Sequence, residues 1–566
     1  MSKNAKKALT LLGIAAAVFG LVFGIAAFIN NSGGYSGSAT EKKALQTLDK
    51  LYKNITVRTP TPVEGYVDLA GMGNSGETLP EIAKYPSVVE KSTELFVEIF
   101  SSPEKAGSGT DGWLTEAALA FNRSGAEVNG KPVSVRLRSI SSGLGVDYIA
   151  AGQYMPDAFT PSNELWGEIL KSKGVELTLI EKRMVGNAAG VLFSSAKQKE
   201  LAEKYGAVNL KNIALAVRGG EIAMGYTNPF VSSTGLNYLL STLLTFDAKN
   251  PLSDSAVKAF TDFSANVPFV AYTTLQMRDA AASGALDGFV LEYQLYANMP
   301  ELQERYSFTP FGVRHDSPLY AIGKISDEKN QVLQQFNEFC KQDKWRALAT
   351  NYGFNQQENY KFELDEPNGS VIAQAQQLWK KKKNSEQPIT AVFLADISDS
   401  MGSMNNKPLD DLKKSLINGI NYIEPENAIG LVTFSNEVNI ALPIGKSDIN
   451  QRSLMIGTVE NLRAGGGTSM YEAIVVGMKM LTDAKAKNPD TKLMMFVLTD
   501  GESTGTLNFD DTKAMIAGLK VPIFTIGYHG NFDVLQQLAD LNGAAYINAD
   551  GDDVMYQLAS LFNAQM

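Results

Sequence analysis

Ala391-Val392-Phe393-Leu394-Ala395-Asp396-Ile397-Ser398-Asp399-Ser400 decides the fold of the C-terminal third of this chain. Five apolar residues without polar alternation predict a strand buried on both faces, as in a parallel sheet. Where the apolar run stops, Asp396, Ser398 and Ser400 occupy alternate positions, so they can point the same way as the chain leaves the sheet. A carboxylate and two hydroxyls are hard oxygen ligands, suited to Mg²⁺ or Ca²⁺ and poorly suited to zinc. Open α/β sheets bind ligands at the carboxyl ends of their strands.

Two further stretches extend the pattern. Ala464-Gly465-Gly466-Gly467-Thr468 is a glycine loop ending in a hydroxyl, before the helical pattern Ser469 to Leu481. Leu493 to Leu498 is a second apolar strand, running into Thr499-Asp500-Gly501. Three motifs in this order resemble the metal-ion-dependent adhesion site of von Willebrand factor type A domains, over about residues 388–566. The resemblance implies that Ser398, Ser400 and Thr468 touch a divalent cation, Mg²⁺ or else Mn²⁺ or Ca²⁺. Asp396 and Asp500 would act largely through water. Many family members have glycine between the two serines, where this chain has Asp399; the extra carboxylate would strengthen cation attraction or crowd a partner's approach. Around the motifs, strands at 429–434, 438–444, 521–526 and 545–548 alternate with helices at 408–423, 534–541 and 554–562. That alternation predicts a mostly parallel, doubly wound, Rossmann-like sheet.

The chain has 566 residues, 44% hydrophobic and 20% charged, enough for three or four globular domains. A formal charge of −10 argues against a general nucleic-acid binder. Cys340 is the one cysteine, so no intrachain disulfide forms, and it reads as a small core residue. His315 and His529 are the only histidines, too few for a histidine-centred zinc site or proton relay.

Ala8 to Ile29 carries no charge and as a helix would span about 33 Å, enough for a bilayer core. Lys3, Lys6 and Lys7 precede it, placing the N-terminus in the cytoplasm and the bulk of the chain outside the cell membrane. The competing reading is a cleaved signal peptide, and the length of the apolar stretch favours an uncleaved anchor over residues 1–29. Gly20 and Gly24 have the spacing of helix dimers.

Residues 30–92 read as a spacer and juxtamembrane segment, with a short helix from Glu41 to Tyr52 and no evident chemistry. From Thr93, strand–loop–helix units recur: Leu95 to Phe100, Trp113 to Phe121, Val133 to Leu137, with hydroxyl-rich turns after the strands. This pattern resembles the type II periplasmic solute-binding fold, two α/β lobes with a cleft between them, over residues 93–357. On that resemblance Gly190 to Phe193 is one hinge crossing, Asp287 to Tyr293 leads back, and Phe336 to Phe354 closes the domain. Loop hydroxyls and helix N-terminal amides are good anion ligands. Ser101, Ser141, Thr160, Ser233 and Tyr293 are the candidate cleft residues, against the reading that they are only caps and turn residues. Residues 358–387 read as a helical linker whose Lys380 to Lys383 run is a solvated helix end.

Gly107 to Gly112 matches G-x-G-x-x-G, but residues 101–106 separate it from the strand, so it is a loop and not a dinucleotide site. Gly445-Lys446-Ser447 ends like a phosphate loop without the first glycine. The sequence therefore points to a non-enzymatic, surface-anchored binding protein whose C-terminal domain takes a protein partner's carboxylate on a divalent cation. The alternative is a solute receptor for transport or sensing, with the C-terminal domain as a docking module. Hydrolysis through the metal ranks last, for want of a general base.

Overall fold

Three sheets organise the chain in the computed structural model, which describes residues 37–67, 79, 81–222, 224–264, 267, 269–271, 277, 286–362, 367–383, 387–420, 423–501, 503–528, 533–542, 544, 546–548, 561–562 and 566. Among these no helix is long and apolar enough to cross a membrane. The expected anchor, Ala8 to Ile29, lies outside the described residues, as do His529 and most of the expected helix 554–562.

The described residues begin with a helix, Gly37–Tyr52, and a two-residue strand, β1 (Val57–Arg58). A first lobe follows, with β2 (Ser87–Val89), β3 (Leu95–Ser101), β4 (Glu127–Val128), β5 (Lys131–Ser139), β6 (Ala158–Thr160) and β7 (Leu177–Glu181). The chain then crosses to a second lobe holding β8 (Ala188–Ser194), β9 (Met224–Thr227), β10 (Phe269–Ala271), β11 (Gly288–Glu292) and β12 (Tyr306–Arg314). It returns to the first lobe with β13 (Leu319–Ile322). The first sheet runs β2-β5-β3-β6-β13-β7, with β4 paired to β5, and the second runs β10-β9-β11-β8-β12.

The crossings lie outside the expected hinge stretches. Gly190 to Phe193 is the middle of β8, paired with both β11 and β12, and Gly288 to Glu292 is β11 beside it. The real crossings are residues 182–187 and 315–318, zipped together where Met184 N–H donates to the Ser317 carbonyl (3.2 Å) and His315 N–H to that of Asn187 (3.1 Å). A chain passing between lobes must satisfy its backbone groups, and here the two crossings do so by pairing with each other.

Residues 358–387 are not a free linker. The helix Gly369–Lys382 packs on both lobes and buries Ile372, Ala375 and Trp379 in the same core as Trp166 and Tyr226. Gln376 Nε2 donates to the Pro229 carbonyl (2.8 Å) and Trp379 Nε1 to the Tyr226 hydroxyl (2.8 Å). The lysine run is only partly solvated: Lys380 pairs with Glu424 of the C-terminal domain (3.2 Å) and Lys383 is buried.

The C-terminal domain carries β14 (Ile389–Asp396), β15 (Ala428–Phe434), β16 (Val438–Lys446), β17 (Lys492–Thr499), β18 (Ile523–Gly527) and β19 (Tyr546–Asn548). Its sheet runs β1-β16-β15-β14-β17-β18-β19, parallel throughout except for the β15–β16 hairpin. All eight residues of β14 are buried, as a central strand covered on both faces requires.

The edge strand of this sheet comes from the far end of the chain. β1 pairs in parallel with β16, Val57 opposite Val438, and Arg58 pairs with Glu437 (2.5 Å). The helix Gly37–Tyr52 buries Ala44 and Leu48 against the helices Met470–Lys487 and Phe509–Leu519. Further along, Gly65 N–H donates to the Ser453 carbonyl (2.9 Å) and Ser453 Oγ to the Gly65 carbonyl (2.7 Å). A Cβ on Gly65 would meet the Gly457 nitrogen at 2.5 Å, so the two backbones touch only because both residues lack side chains. Part of the expected spacer is therefore a structural piece of the C-terminal domain, and the two-lobed domain sits in the chain between the two pieces.

Candidate functional site

Strand β14 delivers Asp396 at its last residue, and the turn Asp399–Gly402 follows Ser398 directly. Asp396 is fully buried. Its Oδ1 accepts from Ser398 N–H (2.8 Å) and its Oδ2 from Thr499 Oγ1 (2.5 Å). Burial pushes its carboxyl up to about 6, Thr499 and Ser398 pull it down, and nearby Asp500 adds to the rise. Ser400 Oγ donates to Asp500 Oδ1 (2.9 Å), which leaves Ser398 Oγ to donate to Ser400 Oγ (3.0 Å). The two strand ends, 100 residues apart in sequence, thus meet in one chain of oxygens.

The glycine loop is pinned to the same turn. Gly465 N–H donates to the Ile397 carbonyl and Asp399 N–H to the Gly466 carbonyl, both at 2.8 Å. Gly466 has φ +92°, a conformation that favours glycine. Thr468 N–H donates to Thr504 Oγ1 (2.8 Å), and the Thr468 carbonyl accepts from Thr504 N–H (2.8 Å) and Ser503 Oγ (3.0 Å). Thr468 is held between the turn after β14 and the loop after β17. The structure therefore brings all five expected residues to one edge of the sheet, four by direct hydrogen bonds and Thr468 through its loop.

The Ser398–Ser400 and Ser400–Asp500 separations of 3.0 and 2.9 Å are those of O–H···O hydrogen bonds, which join the three residues without selecting one divalent ion. Hard oxygen donors of this kind suit Mg²⁺, Mn²⁺ or Ca²⁺. Among the described residues no three His, Cys, Asp or Glu side chains form a cluster suited to a metal. The donors here are hydroxyls with two carboxylates.

Several supporting residues escape the motif. Thr499 holds Asp396, and Asn436 Oδ1 accepts from Gly467 N–H (2.8 Å). Glu472 Oε1 accepts from Thr506 N–H, Thr506 Oγ1 and Leu507 N–H (2.6, 2.8 and 2.9 Å), fixing the loop that carries Thr504. Only Thr499, next to Asp500, had a sequence signal.

The five cleft candidates do not converge. Ser141 caps the helix Ser142–Ala151 by accepting from Leu144 N–H, and Ser101 Oγ donates to the Ser102 carbonyl (3.3 Å). Thr160 Oγ1 reaches the Ser317 carbonyl at 3.5 Å, and Tyr293 packs its ring edge-on against Phe308. Only Ser233 faces the other lobe, donating to Ser142 Oγ (3.1 Å) and accepting from Trp166 Nε1 (2.8 Å). Apart from Ser233, the seam between the lobes is built from residues the sequence did not name as candidates. His315 Nε2 lies 3.1 Å from Asn163 Nδ2 and 3.2 Å from Asn237 Nδ2, so it accepts, and Nδ1 carries the proton toward Glu292 Oε1 (3.0 Å). Glu292 also accepts from Asn187 Nδ2 (3.0 Å) and Thr234 Oγ1 (3.2 Å). Lys105 is fully buried against Ser102 and Glu104; burial pushes its ammonium below the usual lysine range and Glu104 pulls it back.

Comparison with known proteins agrees with this geometry at the C-terminal end. Residues 391–563 match the von Willebrand factor type A domain and form such a domain. An uncharacterized protein of Synechocystis sp. is 26% identical over 147 residues, 25% of this chain and 34% of that protein. The chain spans about a third or less of the length of the first curated relatives it matches. Among solved structures, a von Willebrand factor type A structure from Catenulispora acidiphila is 17% identical, covering 32% of this chain and 42% of that one, with a TM-score of 0.27. A periplasmic thiamin binding protein is 13% identical, covering 52% of this chain and 96% of that one, with a TM-score of 0.38.

Proposed function

We propose that this is a non-enzymatic, single-pass surface protein whose von Willebrand factor type A domain binds a protein partner through a divalent cation. Ala8 to Ile29 is the anchor, the N-terminus is cytoplasmic and the bulk of the chain is extracellular. Mg²⁺, or Mn²⁺ or Ca²⁺ in its place, is held by Ser398, Ser400 and Thr468, with Asp396 and Asp500 acting largely through water. Neutral hydroxyls leave the cation short of charge, and a carboxylate from the partner supplies it. The observation that carries this reading is the run of oxygens from Ser398 through Ser400 to Asp500 at 3.0 and 2.9 Å, with Thr468 pinned beside it.

The test is calorimetric titration of the full chain with Mg²⁺, with Asp396→Ala and Ser398→Ala beside it. One saturable site, lost in both variants while circular dichroism stays unchanged, is the expected result. Partner capture on living cells should then require Mg²⁺ and fail in EDTA and in both variants. Capture indifferent to EDTA and to the substitutions refutes the reading.

A second reading is a receptor for a small solute in the seam between the lobes. What supports it is the buried polar cluster of Lys105, Asn163, Glu292 and His315 at the crossing, costly to bury without a use. Ligand-specific thermal stabilisation in a solute panel, indifferent to Asp396→Ala, favours this second role.

A further inference from the structure

Asp399 is a feature that the metal reading leaves unused. It lies in the chain between the two serine hydroxyls, and its N–H is bound to Gly466. Its side chain is exposed. Its Oδ1 stands 4.0 Å from where a Cβ on Gly465 would sit, so the carboxylate lies along the glycine loop on the rim of the site. Among the described residues no ion pair or side-chain hydrogen bond engages it. Arg463, two residues before Gly465, donates to the carbonyls of Glu460 and Leu462 instead.

The charge balance gives this placement a consequence. A dication beside the carboxylates of Asp396 and Asp500 is neutral overall, and a partner's carboxylate approaches it without penalty. With Asp399 ionised at the rim, the loaded site carries one net negative charge. A second carboxylate must then approach against like charge, unless it brings a positive charge with it. We infer that Asp399 is a specificity residue, favouring protein segments that present the metal-binding carboxylate beside a lysine or arginine side chain. The inference rests on the proposed metal-dependent reading and names the class of partner for that same site.

The probes are Mg²⁺ and three short peptides, each with one aspartate flanked by lysine, by serine or by glutamate, measured on the immobilised full chain. Asp399→Asn should weaken Mg²⁺ binding about threefold to fivefold at low ionic strength, and much less at high salt. With Mg²⁺ present, the lysine-flanked peptide should bind about threefold to fivefold more tightly than the serine-flanked one, the span of an exposed charge pair. The glutamate-flanked peptide should bind most weakly. At saturating Mg²⁺, Asp399→Asn should collapse this ranking, with the serine-flanked and glutamate-flanked peptides binding more tightly than they do to the wild-type chain. A ranking that survives Asp399→Asn, or persists in EDTA, overturns the inference, since the preference then belongs to the chain's overall negative charge. Failure of the wild-type chain to bind Mg²⁺ at all sinks the metal-dependent reading instead, so the two failures are told apart.

Discussion

If residues 37–67 are structural, a single substitution in them must loosen strands encoded hundreds of residues away. Leu48 is the sharpest place to look. Its side chain is 1% exposed and packs in the core that contains Met470, Ile474 and Met515 of the C-terminal domain. Leu48→Ala removes buried methylene groups and leaves a void, at a cost of about 2–5 kcal/mol. That cost falls on the docking of the helix Gly37–Tyr52. In hydrogen exchange the protection of its amides should drop roughly thirtyfold to several thousandfold at constant intrinsic rate. The strand that follows it, β1, pairs Val57 and Arg58 with Val438 and Asn439, so protection at the start of β16 should fall with it. Tyr66→Ala is the control, because Tyr66 is 82% exposed and its removal should cost within about 0.5 kcal/mol. Unchanged exchange in both Gly37–Tyr52 and β16 after Leu48→Ala would show that the segment is the solvated spacer its sequence suggests, and the two-piece domain would be refuted.

Three further outcomes follow from individual residues. Ser141→Ala should cost about 1 kcal/mol of stability through loss of the helix cap and leave solute affinity untouched, separating a cap from a ligand. Cys340 is buried and burial pushes its thiol far above the usual range, so iodoacetamide should label the native chain only at the rate of unfolding, while denatured chain reacts at once. Lys383 is held well below the ordinary lysine value of 10.5, first by burial and then by Lys380. The unfolded chain keeps that proton up to the ordinary value while the folded chain releases it earlier. Stability should therefore rise with pH across that window relative to Lys383→Met, and urea titrations of the two chains at stepped alkaline pH measure the narrowing gap.

How legible each part was depends on whether its physics is local. Asp396, Ser398 and Ser400 sit within five residues, and a strand buried on both faces announces itself by an unbroken apolar run, so this edge could be read from the chain alone. Thr468 and Asp500 followed because each lies at the end of its own readable element, a glycine loop and a second apolar strand. The hinge was misplaced because apolar Gly190 to Phe193 looked like a passage between lobes. The chain passes instead through residues 182–187 and 315–318, where Arg183 pairs with Asp316 across the two crossings and Asn187 and His315 both engage Glu292.

The remaining misses share one cause. β1 has two residues, and no periodicity can be seen in two residues. Gly65 and Gly457 look like ordinary turn glycines until their backbones touch. Lys383 reads as solvent-facing in a lysine run, yet it is buried, with Glu424 and Lys492 of the next domain near enough to act on its charge. Each feature is created by a pairing between distant stretches, and a pairing leaves no mark in either stretch alone. The same logic explains why the cleft candidates scattered while the metal edge assembled. Ser and Thr after strands are usually caps, and what makes a cleft is which of them face each other across a hinge. Here that selected Ser142 and Ser233, with Asn163 and His315 between the lobes, and passed over Ser101, Ser141, Thr160 and Tyr293.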